Sequence, residues 1–419
     1  MRTASMGRAP SESTSPRPLP GPWLRLSAIG AATSTALVIA TAALGMGGSH
    51  DLLSLIALAF LTAVAIAAVI SYPYLKAPVA VAVAAMLAQI ALGGVIALTG
   101  SNAALHVAHI ALAAVAFAAT LTVAVRVRWD HTPQPSRPRD YITLTKPRIM
   151  SLLLLTALCG MFVAAQGVPS LGLMVATMAG LALACGGASA LNHYMDRDID
   201  VHMSRTDGRP VATGRVSPER ALEFGLTLSA LSFVLLACTT NLLTAALAIV
   251  GDLFYVVVYT GYLKRRTAQN IVIGGAAGAV PPVVGYAAVS GHVTVTAALL
   301  FLIVSVWTPP HFWALAMLIK GDYAAAGIPM LPVVRGDTET TRQIVRYTVL
   351  MIAVTLLPVA TGSLGWEYAV SAVLLGAVFL WMALALRRTV SKHAAKVLFH
   401  YSLLYLALLF AAMAVDSVI

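Results

Sequence analysis

The residues best equipped for chemistry lie in A-L-N-H-Y-M-D-R-D-I-D-V-H-M-S-R-T-D-G-R-P, residues 190–210. Asn192, Asp196 and Asp200 recur at i, i+4 and i+8. On a helix this spacing forms one stripe about 12 Å long, so two carboxylates and an amide face one place. Hard oxygen ligands of this kind suit Mg²⁺, which takes one or two carboxylates and completes its shell with water and substrate phosphates. Arg205 and Arg209 follow closely enough to clamp the same phosphates. A solvated loop that merely keeps a helix end in water would use similar residues. Arg197 and Asp198 fall off the stripe and read as solvated partners.

Two further polar stretches stand out. Y-T-G-Y-L-K-R-R-T, 259–267, offers Tyr259 and Lys264 to the same site, although Lys264, Arg265 and Arg266 would serve equally as lipid head-group anchors. W-T-P-P-H-F-W, 307–313, precedes Lys320, Asp322 and Tyr323. Pro309 and Pro310 are expected to break or kink their helix, presenting His311 at an irregular backbone that lines a cavity; the alternative is a satisfied core histidine. Asp252 could serve the site or simply make a packing hydrogen bond. Lys146 and Arg148 fall on the same side as these clusters, with lipid anchoring as their other reading.

The elements that must position these groups are membrane helices. Of 419 residues 59% are hydrophobic and 10% charged, and the mean hydropathy is +0.86, which describes an integral membrane protein rather than a soluble chain. The excess of 27 Lys+Arg over 16 Asp+Glu points to cytoplasmic loops and away from nucleic acid. Cys159, Cys185 and Cys238 lack C-x-x-C spacing and sit in apolar runs, so they read as small core residues. Runs long enough to span hydrocarbon fall near 24–46, 52–70, 77–99 and 104–125, then near 149–167, 170–192, 218–238, 241–260, 270–289, 294–318, 344–362, 367–386 and 396–415. With about thirteen spans and a cytoplasmic N-terminus, all 27 basic residues fall on the inner side. The expected organisation is a disordered cytoplasmic arm (1–22), a four-helix membrane bundle (23–126), a cytoplasmic linker (127–139) and a nine-helix domain (140–419). The C-terminus is expected outside.

Four blocks in order carry a resemblance: N-H-Y-M-D-R-D-I-D with R-T-x-x-R-P, Y-T-x-x-L-K-R-R-T-x-x-N-I-V-I-G-G, W-T-P-P-H-F-W-A-L-A and G-I-P-M-L-P-V-V. Over about 140–416 the chain resembles the protohaem IX farnesyltransferases (haem O synthases) of the membrane-embedded aromatic-type prenyltransferases. The resemblance implies a nine-helix all-α fold with an intramembrane cavity facing the cytoplasm of a bacterial-type plasma membrane. It also implies Mg²⁺-dependent transfer of a farnesyl group from farnesyl diphosphate to a vinyl group of haem B, with water added, giving haem O for haem A and terminal oxidases. Asn192, Asp196 and Asp200 would form the first metal–diphosphate motif, with Arg205, Arg209, Tyr259, Lys264, Lys146 and Arg148 around the diphosphate and His311 in the cavity. Asp322 stands where many superfamily members place a second aspartate pair. G-D-Y-A-A-A-G has one aspartate, a departure shared by the haem enzymes, which leaves the number of Mg²⁺ ions open.

The preceding stretch 89–113, Q-I-A-L-G-G-V-I-A-L-T-G-S-N-A-A-L-H-V-A-H-I-A-L-A, is similar to part of haem A synthase, whose halves are four-helix units. That similarity implies His50, His106 or His109 as haem ligands; packed or interfacial histidines in a bundle that only fixes assembly are the alternative. A partner haem A synthase would take the product. Rival functions are prenylation of a quinone precursor and a haem-handling membrane carrier. The carrier is disfavoured because no internal repeat suited to alternating access is visible.

Overall fold

A computed structural model describes residues 22–43, 56–61, 63–65, 72, 75–99, 103–128 and 136–419. Its regular elements are all helical, as apolar segments in hydrocarbon require when each backbone group must be paired within its own element. The long helices are α1 (Pro22–Ala43), α2 (Lys76–Thr99), α3 (Ala103–Arg128), α4 (Pro147–Ala165), α5 (Leu171–Met195), α6 (Pro218–Thr239), α7 (Leu242–Arg266), α8 (Asn270–Ser290), α9 (Val295–Leu318), α10 (Leu331–Thr355), α11 (Trp366–Thr389) and α12 (Lys392–Asp416). Ten described helices are long and apolar enough to cross a membrane, and nine of them follow residue 146. The chain is an integral membrane protein. The count of thirteen is not confirmed: the three expected spans outside the ten, 24–46, 52–70 and 104–125, each run over residues whose backbone or side chains lie outside the described ones.

The spans start where the sequence places caps. Ser170, Ser217, Asn241, Thr294 and Ser391 each accept a hydrogen bond from the backbone N–H three residues on, satisfying a donor that an apolar helix start would leave bare. From α4 to α12 the helices pack into a closed ring, neighbour on neighbour, with α12 returning to α4. Glycines allow the close α4–α8 crossing: a Cβ on Gly160 would strike the carbonyl oxygen of Pro282, and one on Gly285 that of Ala157.

Three expectations need correction. α9 runs unbroken through Pro309 and Pro310, so His311 stands on regular helix. Thr308 Oγ1 donates to the Val304 carbonyl (2.8 Å) inside this turn, and tight packing by neighbours lets the helix survive the missing N–H groups. Next, α10 starts near residue 331 rather than 344. Its polar first turns, with Asp337 and Glu339, follow a left-handed Gly336 (φ 76°) that divides it. Finally, Cys238 is exposed on its helix, while Cys159 is buried and Cys185 half-buried.

In the N-terminal part α1, α2 and α3 pack together, and α3 lies against α6. Arg126 and Glu223 join the two units through paired hydrogen bonds. His50 lies outside the described residues, as does the side chain of His106. His109 is buried against Gly93, whose missing Cβ leaves room for the imidazole.

Candidate active site

The site forms where α5 ends. α5 stops at Met195 and Asp196 adopts a non-helical conformation (φ −88°, ψ 0°) before a short turn, Arg197–Asp200. The i→i+4 bonding nevertheless continues across the break: the Asp196 N–H donates to the Asn192 carbonyl and the Asp200 N–H to the Asp196 carbonyl, both at 2.8 Å. The stripe of Asn192, Asp196 and Asp200 therefore persists, with all three side chains buried.

Cations converge on it from three elements. Lys146 sits in a left-handed turn (φ 49°) between the short helix Pro138–Leu144 and α4. Ser189 Oγ of α5 holds that turn by donating to the Leu144 carbonyl (2.6 Å), and Lys146 Nζ donates to Asn192 Oδ1 (2.7 Å). Lys264 Nζ donates to Asp196 Oδ2 (2.6 Å). The Arg209 guanidinium reaches both oxygens of Asp200 at 2.8 Å.

Lys264 owes its place to an unusual backbone. Residues Phe254–Leu263 of α7 form a π-helix, and the Lys264 N–H bonds to the Tyr259 carbonyl. Five-residue spacing places Tyr259 and Lys264 on one face, and such wide turns recur at functional sites. Tyr259 stacks on Tyr255 (5.7 Å between rings) and lies against Gly274, where a Cβ would enter its ring. Thr260, from the same π-helix, accepts a hydrogen bond from Asn192 Nδ2 (3.1 Å), which also donates to Asp196 Oδ2 (2.7 Å).

The surrounding residues shape this centre. Arg265 binds both Asp198 oxygens (2.6 and 2.7 Å) and the Met195 carbonyl (2.8 Å), clamping the turn after α5. Asp198 is thereby held below the usual carboxylate range. Asp322 accepts from Ser204 Oγ at 2.8 and 3.1 Å and so ties helix Lys320–Ala325 to the loop that carries Arg205 and Arg209. Tyr323 packs beneath that loop with Ile199, Met203, Ile271 and Met330. Arg205 and Arg148 are exposed.

His311 belongs to a different neighbourhood. Its ring lies between Trp307 and Phe399 (4.5 and 4.8 Å), and Nδ1 pairs with Ser402 Oγ at 2.6 Å. Asp252 accepts from Ser229 Oγ at 3.0 Å, within the helix packing.

Sequence reasoning overlooked four participants. Thr260 and Arg265 were visible within the Y-T-G-Y-L-K-R-R motif, but only the π-helical spacing reveals what they touch. Asn270, fully buried at the start of α8, donates to the Lys264 carbonyl (3.3 Å) and leaves Oδ1 without a partner. His193 is buried beside the stripe with neither ring nitrogen paired.

The electrostatics suit an anion and a hard cation together. Burial pushes the Lys146 ammonium well below its ordinary pKa, with Arg209 adding to the effect and Asp196 opposing it. Asp196 Oδ1 is a buried acceptor without a hydrogen bond, a costly arrangement that a bound cation would relieve. Among the described residues no three His, Cys, Asp or Glu side chains converge. Asp196 Oδ1 is thus the acceptor open to a cation, whereas Asn192 Oδ1 and both Asp200 oxygens accept from Lys146 and Arg209 and would join it only by exchanging those partners; two carboxylates and an amide oxygen are a donor set that would fit Mg²⁺.

A closed ring of nine membrane helices with a buried acidic stripe and clustered cations at one end defines an all-helical integral membrane bundle. Residues 153–409 match the UbiA prenyltransferase family, and the chain belongs to that family. It is 52% identical over 280 residues to a protein named protoheme IX farnesyltransferase from Symbiobacterium thermophilum, covering 66% of this chain and 94% of that one. A Roseiflexus protein of the same name is 53% identical over 286 residues, 68% of this chain and 54% of its own. The chain thus spans about half the length of that relative. Among solved structures, a digeranylgeranylglyceryl phosphate synthase aligns at 17% identity and a TM-score of 0.56, covering 67% of this chain and 98% of its own. A UbiA homolog from Aeropyrum pernix aligns at 20% identity and 0.52, covering 64% and 98%. Both likenesses concern the fold.

Proposed function

We propose that this chain transfers the farnesyl group of farnesyl diphosphate to a vinyl group of haem B, with addition of water, and so makes haem O. The observation that carries this reading is the 52% identity to a protoheme IX farnesyltransferase across 94% of that relative's length, in a chain whose buried stripe gathers carboxylates and cations. No observation favours a quinone precursor.

In this reading the diphosphate sits between Lys146, Lys264, Arg209 and the exposed Arg205, with Tyr259 beside it. Asp196, Asp200 and Asn192 hold Mg²⁺, which supplies electrophilic stabilisation of the departing diphosphate oxygens. Lys264 and Arg209 now neutralise Asp196 and Asp200. When the diphosphate binds, these cations exchange carboxylates for phosphate oxygens, so charge stays balanced in a site with little access to water. As the carbon–oxygen bond breaks, negative charge accumulates on the diphosphate and the preplaced ammonium and guanidinium groups stabilise it. The allylic cation left behind needs a dry apolar wall until the vinyl carbon attacks. Thr260 and Lys146 hold the Asn192 amide, fixing which face its oxygen presents.

We also assign the site to the cytoplasmic side of a bacterial plasma membrane, since the basic segments cluster at this end. Haem O would then pass to haem A synthesis. The bundle before residue 127 is a separate unit in this reading, with His109 a haem-ligand candidate. Turnover of farnesyl diphosphate and haem B by the purified chain tests the reading.

A further inference from the structure

Helix Lys320–Ala325 has two sides. Asp322 and Tyr323 face the loop that carries Arg205 and Arg209. The opposite side, Lys320, Gly321 and Ala324, lines a cavity of about 400 Å³ completed by Met317, Asp337, Val390 and Lys392. Its wall is mainly apolar, but two ammonium groups and one carboxylate stand in it. Lys320 is paired with Asp337 at 3.0 Å with both side chains partly exposed, whereas Lys392 makes no ion pair among the described residues. The backbone is specialised on both flanks. Gly336 turns through φ 76° just before Asp337, and Val390 is held at φ 45°, a conformation rarely adopted by a β-branched residue. Three charged groups from three separate elements thus stand around one hollow at the end of the bundle where α9 and α11 finish and α10 and α12 begin.

We infer that this cavity binds the carboxylate edge of the acceptor substrate, with Lys320 and Lys392 receiving the two propionates of haem B. The inference rests on the haem reading above. A porphyrin presents vinyl groups and propionates at different edges of one flat apolar ring. An acceptor whose vinyl reaches the diphosphate side of helix Lys320–Ala325 must keep its anionic edge near water, where a mainly apolar hollow with a net positive rim suits it. Asp337 holds Lys320 until a propionate takes its place. The cavity and the diphosphate site are then two ends of one substrate path divided by a helix of less than two turns. Lys320 and Lys392 are specificity residues here, contacting substrate far from the bond being made.

The test compares haem B with its dimethyl ester, which keeps the ring, iron and vinyl groups but lacks both charges. Binding to the full-length purified protein in zwitterionic nanodiscs is followed by haem absorbance, and turnover is measured in parallel. Wild type should bind the diacid about tenfold more tightly than the ester. Lys320→Gln and Lys392→Gln should each erode that preference about threefold while leaving the KM for farnesyl diphosphate unchanged. Asp337→Asn, which frees Lys320, should preserve or strengthen it; a merely structural ion pair would instead make Asp337→Asn resemble Lys320→Gln. Equal binding of diacid and ester by wild type, or unchanged preference in both lysine variants, would overturn the inference while leaving farnesyl transfer intact. Wild-type protein that binds neither porphyrin and turns over neither would overturn the haem reading itself and the inference with it. Loss of the diacid preference when anionic lipid replaces zwitterionic lipid would assign the lysines to lipid phosphate and also overturn it.

Discussion

Lys264 and Asp196 meet at 2.6 Å through the carboxylate's Oδ2, while Oδ1 of the same group is buried without a hydrogen-bond partner. One oxygen is neutralised by the lysine that follows the π-helix, and the other, 3.9 Å from the Arg265 guanidinium, keeps unused accepting capacity. An acceptor without a hydrogen bond adds little to folding, and a bound cation would use it.

Asp196→Asn keeps the shape and removes the charge. It is expected to lower Mg²⁺-dependent turnover by at least about a hundredfold while the protein still inserts and elutes as wild type. Near-normal kcat in the purified variant would remove Asp196 from the metal site.

Lys264→Gln should act mainly on the diphosphate. Loss of one charge-assisted contact predicts a KM for farnesyl diphosphate raised about tenfold or more, with haem affinity unchanged. Steady-state kinetics with each substrate varied in turn separates this from a general loss of folding.

The nine spans after residue 146 were legible because apolar length and the one-sided placement of Lys and Arg are direct physical consequences of the bilayer. The acidic stripe was legible because i, i+4 spacing survives a local break at Asp196, where hydrogen bonds from residues 196 and 200 still reach back four positions. The partners of that stripe were harder to read. Thr260 and Lys264 reach it only because Phe254–Leu263 is π-helical, and no spacing rule for an α-helix yields that register. The proline pair misled in the opposite direction: propensity speaks for a break, but packing on both sides carries α9 through Pro309 and Pro310.

The Asp140–Arg215 pair links the short helix Pro138–Leu144 to the loop that carries Arg209. Arg215 Nε donates to Asp140 (2.9 Å), and its NH2 group donates to the Gly208 carbonyl, next to Arg209 (2.9 Å). Arg215 holds the Asp140 carboxyl below its ordinary pKa of 3.8. A depressed carboxylate pKa stabilises the fold above the unfolded value, and that contribution disappears as pH falls through the folded value. Asp140→Asn should therefore lower the Tm relative to wild type at pH 6 to 8, with the difference shrinking below about pH 4. Thermal unfolding in detergent across that range checks the sign; a gap that widens in acid would contradict it.

Gly285→Ala tests the α4–α8 crossing. The added methyl would strike the Ala157 carbonyl oxygen, a backbone atom that cannot rotate away. Destabilisation of about 1–3 kcal/mol is expected, seen as a lower Tm, whereas Gly278→Ala, where a Cβ meets nothing within 4 Å, should be close to neutral.

Farnesyl transfer to haem is tested by mass spectrometry of haems extracted after the purified protein is incubated with haem B, farnesyl diphosphate and Mg²⁺. The expected product is a haem heavier by one farnesyl group and one water, absent when a chelator removes the metal. Unmodified haem from folded protein, especially alongside prenylation of an aromatic quinone precursor, would contradict it.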